Sequence, residues 1–143
     1  MRRIKHKHTR RAVRFFKVQH GFRSPFKVLL DGNFLHALLL AGQEDISSTL
    51  FKLLGAPAKP LTTACTLHEL KSLGKDFTGT FRFARQACAV HACGHDGEAL
   101  PASGCLRSCI GETNAEHFFV ATQDRSLREA LGRVPGGATL LMG

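Results

Sequence analysis

Three acidic residues stand where strands are predicted to end or a helix to begin. Asp31 follows the apolar run 26–30, Asp124 follows the run 117–122, and Glu69 comes early in a leucine-rich helix predicted after a β-prone run at 61–65. Ligands of open parallel sheets bind at the carboxyl ends of the strands, so we expect the three side chains to converge there. Carboxylates that together hold Mg²⁺ or Mn²⁺ can activate water against a phosphodiester, which makes Asp31, Glu69 and Asp124 candidate catalytic residues of a nuclease.

The same acids also have structural interpretations. An aspartate after a strand is often a turn former or the N-cap of the next helix. Thr66 and Glu69 have the spacing of a capping box, in which the glutamate bonds back to the start of its own helix. Spacing alone therefore leaves both catalysis and helix capping open.

A second group of reactive side chains lies in a loop that contains several glycines and a proline. Its pattern is C-x4-C-x-H-x9-C, and four such ligands suit a tetrahedral Zn²⁺ with no open position for chemistry. The loop has too few apolar residues to fold alone, so the ion is expected to order it. The sequence predicts a structural zinc site within an insertion at 88–105, with the ligands Cys88, Cys93, His95 and Cys105.

Other interpretations of these residues remain open. His91 and Cys109 compete as ligands, and the group can also consist of reduced thiols with scattered histidines. Cys65, within the β-prone run, is interpreted as an ordinary buried thiol.

The net charge of +9 comes from one end of the chain. The first 30 residues hold ten Lys or Arg and no acid, whereas the other 113 hold ten basic and eleven acidic residues. A basic arm releases condensed counterions when it meets a polyphosphate, which favours nucleic acid as the partner. An acidic membrane surface or a nuclear import signal is the alternative. The residues predicted to bind RNA are Arg2, Arg3, Lys5, Lys7, Arg10, Arg11, Arg14 and Lys17.

Phenylalanines alternate with these charges, while Trp and Tyr are absent from the chain. Their rings can stack on bases or pack in the core, and we expect packing for at least half of them. The four are Phe15, Phe16, Phe22 and Phe26.

Strands and helices are predicted to alternate along the rest of the chain, which indicates a parallel sheet with helices on both faces. No apolar run is long enough to span a membrane, and we expect a soluble intracellular protein. The domains predicted are a basic, partly helical arm at 1–24 whose order depends on a partner and an α/β domain at 25–143. Predicted strands are 26–30, 61–65, 117–122 and 138–142, and predicted helices are 33–41, 46–54, 66–73, 80–87 and 126–132.

Together these motifs resemble a known family. The run K-x-H-T-R-R-A-V-R-F-F-K-x3-G-F-R-S-P-F-K-V-L-L-D-G-N-F is followed by T-L-H-E-L-K-S-L-G-K-D, the Cys/His loop, H-F-F-V-A-T-Q-D-R-S-L-R and V-P-G-G. This order resembles the PIN-domain rRNA-processing proteins of the eukaryotic small-subunit processome, in the family of U-three-associated protein twenty-three, sister to the Fcf-one family. The resemblance covers nearly the whole chain and implies a PIN-like three-layer α/β/α sandwich with a central parallel sheet.

The resemblance also implies a function. It implies a nucleolar ribosome biogenesis factor that binds pre-rRNA of the 18S region and an H/ACA small nucleolar RNA, together with processome proteins, in early 18S rRNA processing. It implies a CCHC zinc site at the four ligands named above and a fourth nuclease acid at position 126, where this chain has Ser126. It implies that relatives continue past Gly143, so we expect either a trimmed chain or a minimal protein.

Three functions follow as hypotheses. The first is an RNA-binding scaffold whose nuclease site is degenerate, because one carboxylate is missing, and which is therefore not an efficient enzyme. The second is a metal-dependent endoribonuclease that cleaves pre-rRNA with Asp31, Glu69 and Asp124. The third is a zinc module that binds DNA.

Overall fold

A five-stranded parallel sheet forms the centre of the protein in a computed structural model, which describes residues 6–95 and 97–141, with side chains from residue 9 onward. The strands are β1 (Phe26–Leu30), β2 (Ala58–Thr63), β3 (Ala89–His91), β4 (Phe118–Ala121) and β5 (Ala138–Leu140), in the order β3-β2-β1-β4-β5. Every neighbouring pair is parallel.

Helices cover both faces of the sheet. They are α1 (His6–His20), α2 (Gly32–Leu40), α3 (Ile46–Leu54), α4 (Ala64–Ser72), α5 (Thr78–Ala87), α6 (Ala102–Ile110) and α7 (Arg125–Gly132), with a 3₁₀ turn at Lys75–Phe77. Val28 and Leu30 of β1 pack in a core with α1, α2, α3 and α5. Leu29 points to the opposite face and packs against α6 and α7, as the alternation of side chains along a strand requires. The predicted three-layer α/β/α architecture is confirmed.

Part of the predicted arm, His6–His20, forms α1, which packs on the domain. Val13 is only 5% exposed and belongs to the core, as does Phe22, and Phe16 packs against them from a half-buried position. The Arg10 Nη2 atom donates a hydrogen bond to the Lys52 carbonyl on α3 at 3.1 Å. Residues 9–22 are thus part of the folded body, although the sequence predicted order only with a partner.

Most predicted elements are present with shifted ends, and two were missed. The predicted strand at 61–65 ends at Thr63, because the Thr63 side chain accepts a hydrogen bond from the Thr66 amide and starts α4 two residues earlier than predicted. Cys65 therefore lies in the first turn of a helix and not in a strand. The Cys/His-rich stretch was predicted to contain neither helix nor strand, yet it forms β3 and α6.

The described part of the chain has no helix that is both long and apolar enough to cross a membrane.

Candidate functional site

A cavity of about 230 Å³ opens at the carboxyl ends of the strands. Asp31, Glu69 and Asp124 line it, so the predicted convergence of the three acids is present in the structure. Asp31 follows β1 and Asp124 follows β4, which is the neighbour of β1 in the sheet. Glu69 comes from α4, which follows β2 on the other side of β1. We call this space the acidic cavity; its wall is completed by Gly32, Asn33, Leu70, Leu73, Phe77 and Ser103.

Asp31 is the most enclosed of the three acids, with 4% of its surface exposed. Its Oδ1 accepts a hydrogen bond from the Gly32 amide at 2.8 Å, which caps α2, and its Oδ2 accepts one from the Thr122 hydroxyl at 2.8 Å. Burial raises the pKa of Asp31, and the nearby carboxylates of Glu69 and Asp124 add to the rise, although the two hydrogen bonds oppose it. The neutral form of Asp31 is therefore favoured more than it is in an exposed aspartate.

Asp124 is held by the residues around it. Its Oδ1 caps α7 by accepting a hydrogen bond from the Leu127 amide at 3.3 Å, while its own amide donates to the Thr122 hydroxyl at 3.0 Å. Asn33 Oδ1 accepts from the Gln123 amide at 2.9 Å, which ties the end of β4 to α2. Both aspartates thus serve as helix N-caps while they face the cavity, and Thr122 joins them.

Glu69 makes a contact that the sequence did not predict. Its Oε1 accepts a hydrogen bond from the Ala102 amide at the start of α6, 3.2 Å away. The expected capping box is wrong in its residues, because Thr63 and not Thr66 caps α4. One carboxylate oxygen of Glu69 is therefore engaged by the positive end of another helix. Ser126, at the position of the expected fourth acid, is exposed on α7.

The second candidate site is a group of three thiols and one imidazole. The ligand atoms of Cys65, Cys93, His95 and Cys105 all lie within 4.8 Å of one another, and we call these residues the Cys/His group. The Sγ atoms of Cys65 and Cys93 are 3.9 Å apart, and Cys65 Sγ is 3.5 Å from His95 Nδ1. Zn–S bonds of about 2.3 Å in a tetrahedron place two sulfurs roughly 3.8 Å apart. The donor types and their spacing therefore fit a metal such as zinc.

Cys65 takes the place that the sequence assigned to Cys88. The Cys88 side chain packs in the core beside α5 and is 8% exposed, and burial raises its pKa to about 12. Cys88 is not among the residues whose ligand atoms meet in the Cys/His group. The sequence pattern missed Cys65 because the nearest of its partners along the chain, Cys93, is 28 residues away. Cys65 reaches the loop because it lies in the first turn of α4.

The electrostatics of the group favour a thiolate at Cys93. Burial acts to raise its pKa, but hydrogen bonds from the His95 backbone and from the side chains of Cys105, His95 and Cys65 outweigh this and lower the pKa to about 7. Burial instead raises the pKa of Cys105, and the nearby Cys109 adds to the rise. Cys109 lies beside the group without joining it, and His91 faces Glu116 at 4.0 Å.

The predicted RNA-binding residues are only partly within the described structure. Arg2, Arg3 and Lys5 lie outside it, as does the side chain of Lys7. The remaining four, Arg10, Arg11, Arg14 and Lys17, are all exposed on α1.

Comparison with known proteins identifies relatives. The model of the family described as Fcf1 matches residues 52–142. The rRNA-processing protein utp23 of Schizosaccharomyces pombe is 34% identical over 144 residues, which cover 99% of this chain and 55% of that protein. The rRNA-processing protein FCF1 of Saccharomyces cerevisiae is 28% identical over 125 residues, 85% of this chain and 62% of that one. The chain thus spans little more than half the length of these relatives.

A solved structure supports the same relationship. The PIN domain endonuclease Utp24 superposes with a TM-score of 0.71 at 26% sequence identity, over 83% of this chain and 86% of that one. The PIN-like fold implied by the sequence motifs is therefore confirmed.

Proposed function

This chain belongs to the Fcf1 family, and we propose that it is an RNA-binding factor in ribosome biogenesis. Its relatives are named rRNA-processing proteins, which supports ribosomal RNA as the ligand. Pre-rRNA of the 18S region and the small-subunit processome are what the resemblance of the sequence motifs implies. In this proposal the chain works in the nucleolus and also contacts an H/ACA small nucleolar RNA. The α/β domain, with α1 packed on it, acts as a scaffold more than as an enzyme.

The exposed basic face of α1 is the observation that carries the proposal. Val13 anchors the helix in the core, so Arg11, Arg14 and Lys17 are presented on a rigid support. Phosphate contacts by such residues release counterions, and a fixed helix loses less conformational entropy on binding than a free arm. The residues 1–7 add further positive charge to the same end of the chain.

Zinc in the Cys/His group would shape a surface for RNA or protein beyond the carboxyl ends of β2 and β3. In this proposal Cys65, Cys93, His95 and Cys105 hold one structural Zn²⁺, with Cys65 in place of the predicted Cys88. All four positions are occupied by protein ligands, which leaves none for substrate. The ion would join the start of α4, the loop after β3, and α6.

Two features favour a scaffold over a nuclease at the acidic cavity. Ser126 supplies no charge where the family resemblance implies a fourth acid. One carboxylate oxygen of Glu69 already accepts a hydrogen bond from the Ala102 amide, which weakens the ability of Glu69 to hold a hydrated divalent cation.

A charge-substitution series tests the RNA-binding proposal. Replacing Arg11, Arg14 and Lys17 together with Gln leaves Val13 in place, whereas deleting α1 would also remove part of the core. Affinity for a transcript of the 18S pre-rRNA region should fall. The negative slope of log affinity against log salt should become shallower by about 0.7 for each lost single-strand contact. The control replaces three exposed basic residues that lie within two residues of the lining of the acidic cavity: Lys71, Lys75 and Arg125.

The two triple variants distinguish RNA binding at α1 from RNA binding at the acidic cavity. If RNA binds α1, the control variant should bind nearly as wild type does. An unchanged salt slope in the α1 variant, with loss in the control, would place the RNA at the acidic cavity and overturn the proposal.

A metal-dependent endoribonuclease is the second candidate. The convergence of three acids on one cavity favours it, as does the similarity to an endonuclease of known structure. In this reading a Mg²⁺ or Mn²⁺ held by Asp31, Glu69 and Asp124 activates water for cleavage of pre-rRNA. Incubation of wild type and Asp31→Asn with labelled transcript and Mn²⁺ tests it, since cleavage that persists equally in both excludes this site.

A further inference from the structure

The four phenylalanines that alternate with basic residues differ sharply in exposure. Phe22 and Phe26 are fully buried, and Phe16 packs against the core. Phe15 has 52% of its surface exposed. The structure thus assigns three rings to packing, as expected for at least half of them, and leaves one ring facing outward.

Phe15 lies among exposed basic residues of α1. Arg11 precedes it by one helical turn, Arg14 is adjacent, and Val18 follows by three residues with its side chain largely exposed. The first 30 residues contain no acid that could pair with these cations. A single exposed phenylalanine is common on protein surfaces and does not by itself indicate a binding site. Phe15 differs because basic side chains lie next to it on the helix.

The Phe15 ring is also held in place by its neighbours. Its centroid is 5.3 Å from that of Phe16 and 5.6 Å from that of His20, both at edge-type angles. Phe16 in turn contacts Phe22 and Phe119 of the core. A ring braced in this way loses little conformational entropy when a planar ligand stacks on it.

We infer that Phe15 is a stacking site for an unpaired base of the RNA that binds α1. The inference rests on the proposed function, because Arg11 and Arg14 would hold phosphates beside the stacked nucleotide. Single-stranded RNA presents its bases for stacking on aromatic side chains, whereas a duplex hides them. The ligand is therefore single-stranded RNA, and the contact tolerates any base because every base has a π face.

The absence of Trp and Tyr from the chain gives a direct optical test. Phe15→Trp introduces a single indole whose fluorescence should be quenched when an oligouridylate or oligoadenylate binds, and should change much less with an RNA duplex. Phe51→Trp is the matched control, because Phe51 on α3 is 51% exposed but lies outside the basic helix. Equal quenching at both positions, or none at position 15 despite binding, would overturn the inference.

Affinity measurements separate this inference from the proposed function. Phe15→Leu should weaken binding of the single-stranded oligonucleotide by about fivefold or more while the salt slope stays that of wild type. Phe51→Leu should bind normally, and thermal unfolding of both variants checks the fold. If Phe15→Leu binds as wild type does while the Arg11, Arg14 and Lys17 variant loses its salt slope, the stacking site is wrong and the RNA-binding proposal stands. An unchanged slope in that triple variant means instead that the RNA-binding proposal itself has failed.

Discussion

The Glu69 carboxylate accepts a hydrogen bond from the Ala102 amide, with 3.2 Å between Oε1 and N. This bond connects α4 to the first residue of α6. One turn before Glu69 on α4 lies Cys65, and one turn after Ala102 on α6 lies Cys105; both cysteines belong to the Cys/His group. The same two helices are thus joined at two places, one facing the acidic cavity and one at the candidate zinc site.

Removing the Glu69 side chain should destabilise the junction of these helices. Glu69→Ala leaves the Ala102 amide without its acceptor and should lower the free energy of unfolding by about 1 kcal/mol, whereas Glu69→Gln keeps an oxygen and should lower it by less. Chemical denaturation measures both. Glu129→Ala, which breaks only an exposed pair with Arg125, is the control and should change little. A Glu69→Ala protein as stable as wild type would show that the bond contributes nothing.

The identity of the zinc ligands can be tested with two cysteine variants. Cys65→Ala should reduce bound zinc well below one ion per chain, because a closed site loses a ligand. Cys88→Ala should retain one zinc per chain while losing some stability, since it leaves a small void in the core. Metal analysis of the purified proteins reads this out. If Cys65→Ala retained its zinc and Cys88→Ala lost it, the ligand set predicted from spacing, with Cys88, would be correct instead.

Removal of the metal should loosen α6. With a chelator present, we expect faster hydrogen exchange at the Ala102 amide and along α6, because the link between Cys65 and Cys105 is lost. The amide of Leu35 in α2, bonded to the Asp31 carbonyl at 3.0 Å, should be nearly unaffected. Unchanged exchange along α6 would mean that no metal orders the helix.

Asp31 should make stability depend on pH. Its pKa is raised in the folded state, mainly by burial, so the folded protein keeps this proton to higher pH than the unfolded chain does. The free energy of unfolding then falls as pH rises from the unfolded pKa through the folded one. Asp31→Asn cannot ionise, and its stability relative to wild type should therefore be greatest near about pH 7 and smaller near about pH 4. Denaturation curves at the two values check the sign, and a relative stability that grows toward acid would contradict it.

The sheet and most helices were predictable because their signals are local. The buried runs that form β1 and β4 are continuous in sequence, and an aspartate follows each at the point where α2 or α7 begins. The convergence of the three acids followed from the rule that parallel strands share one carboxyl edge.

The missed features depend on contacts between distant segments. The short strand β3 has few side chains facing the core and becomes a strand only by pairing with Leu61, Thr62 and Thr63 of β2. Cys65 joins its partners because Thr63 starts α4 early, and no pattern within the loop indicates that. Glu69 has a plausible local partner in sequence, yet it bonds to an amide 33 residues away.

The position of RNA on the protein distinguishes binding at α1 from binding at the acidic cavity. Ultraviolet crosslinking of the intact protein to an 18S pre-rRNA transcript, followed by mass spectrometry of the crosslinked peptides, locates the contacts. RNA bound at α1 should give crosslinks on that helix, centred on Phe15 and its neighbouring arginines. Crosslinks confined to the walls of the acidic cavity, at Leu73, Phe77 and Asp124, with none on α1, would contradict binding at α1.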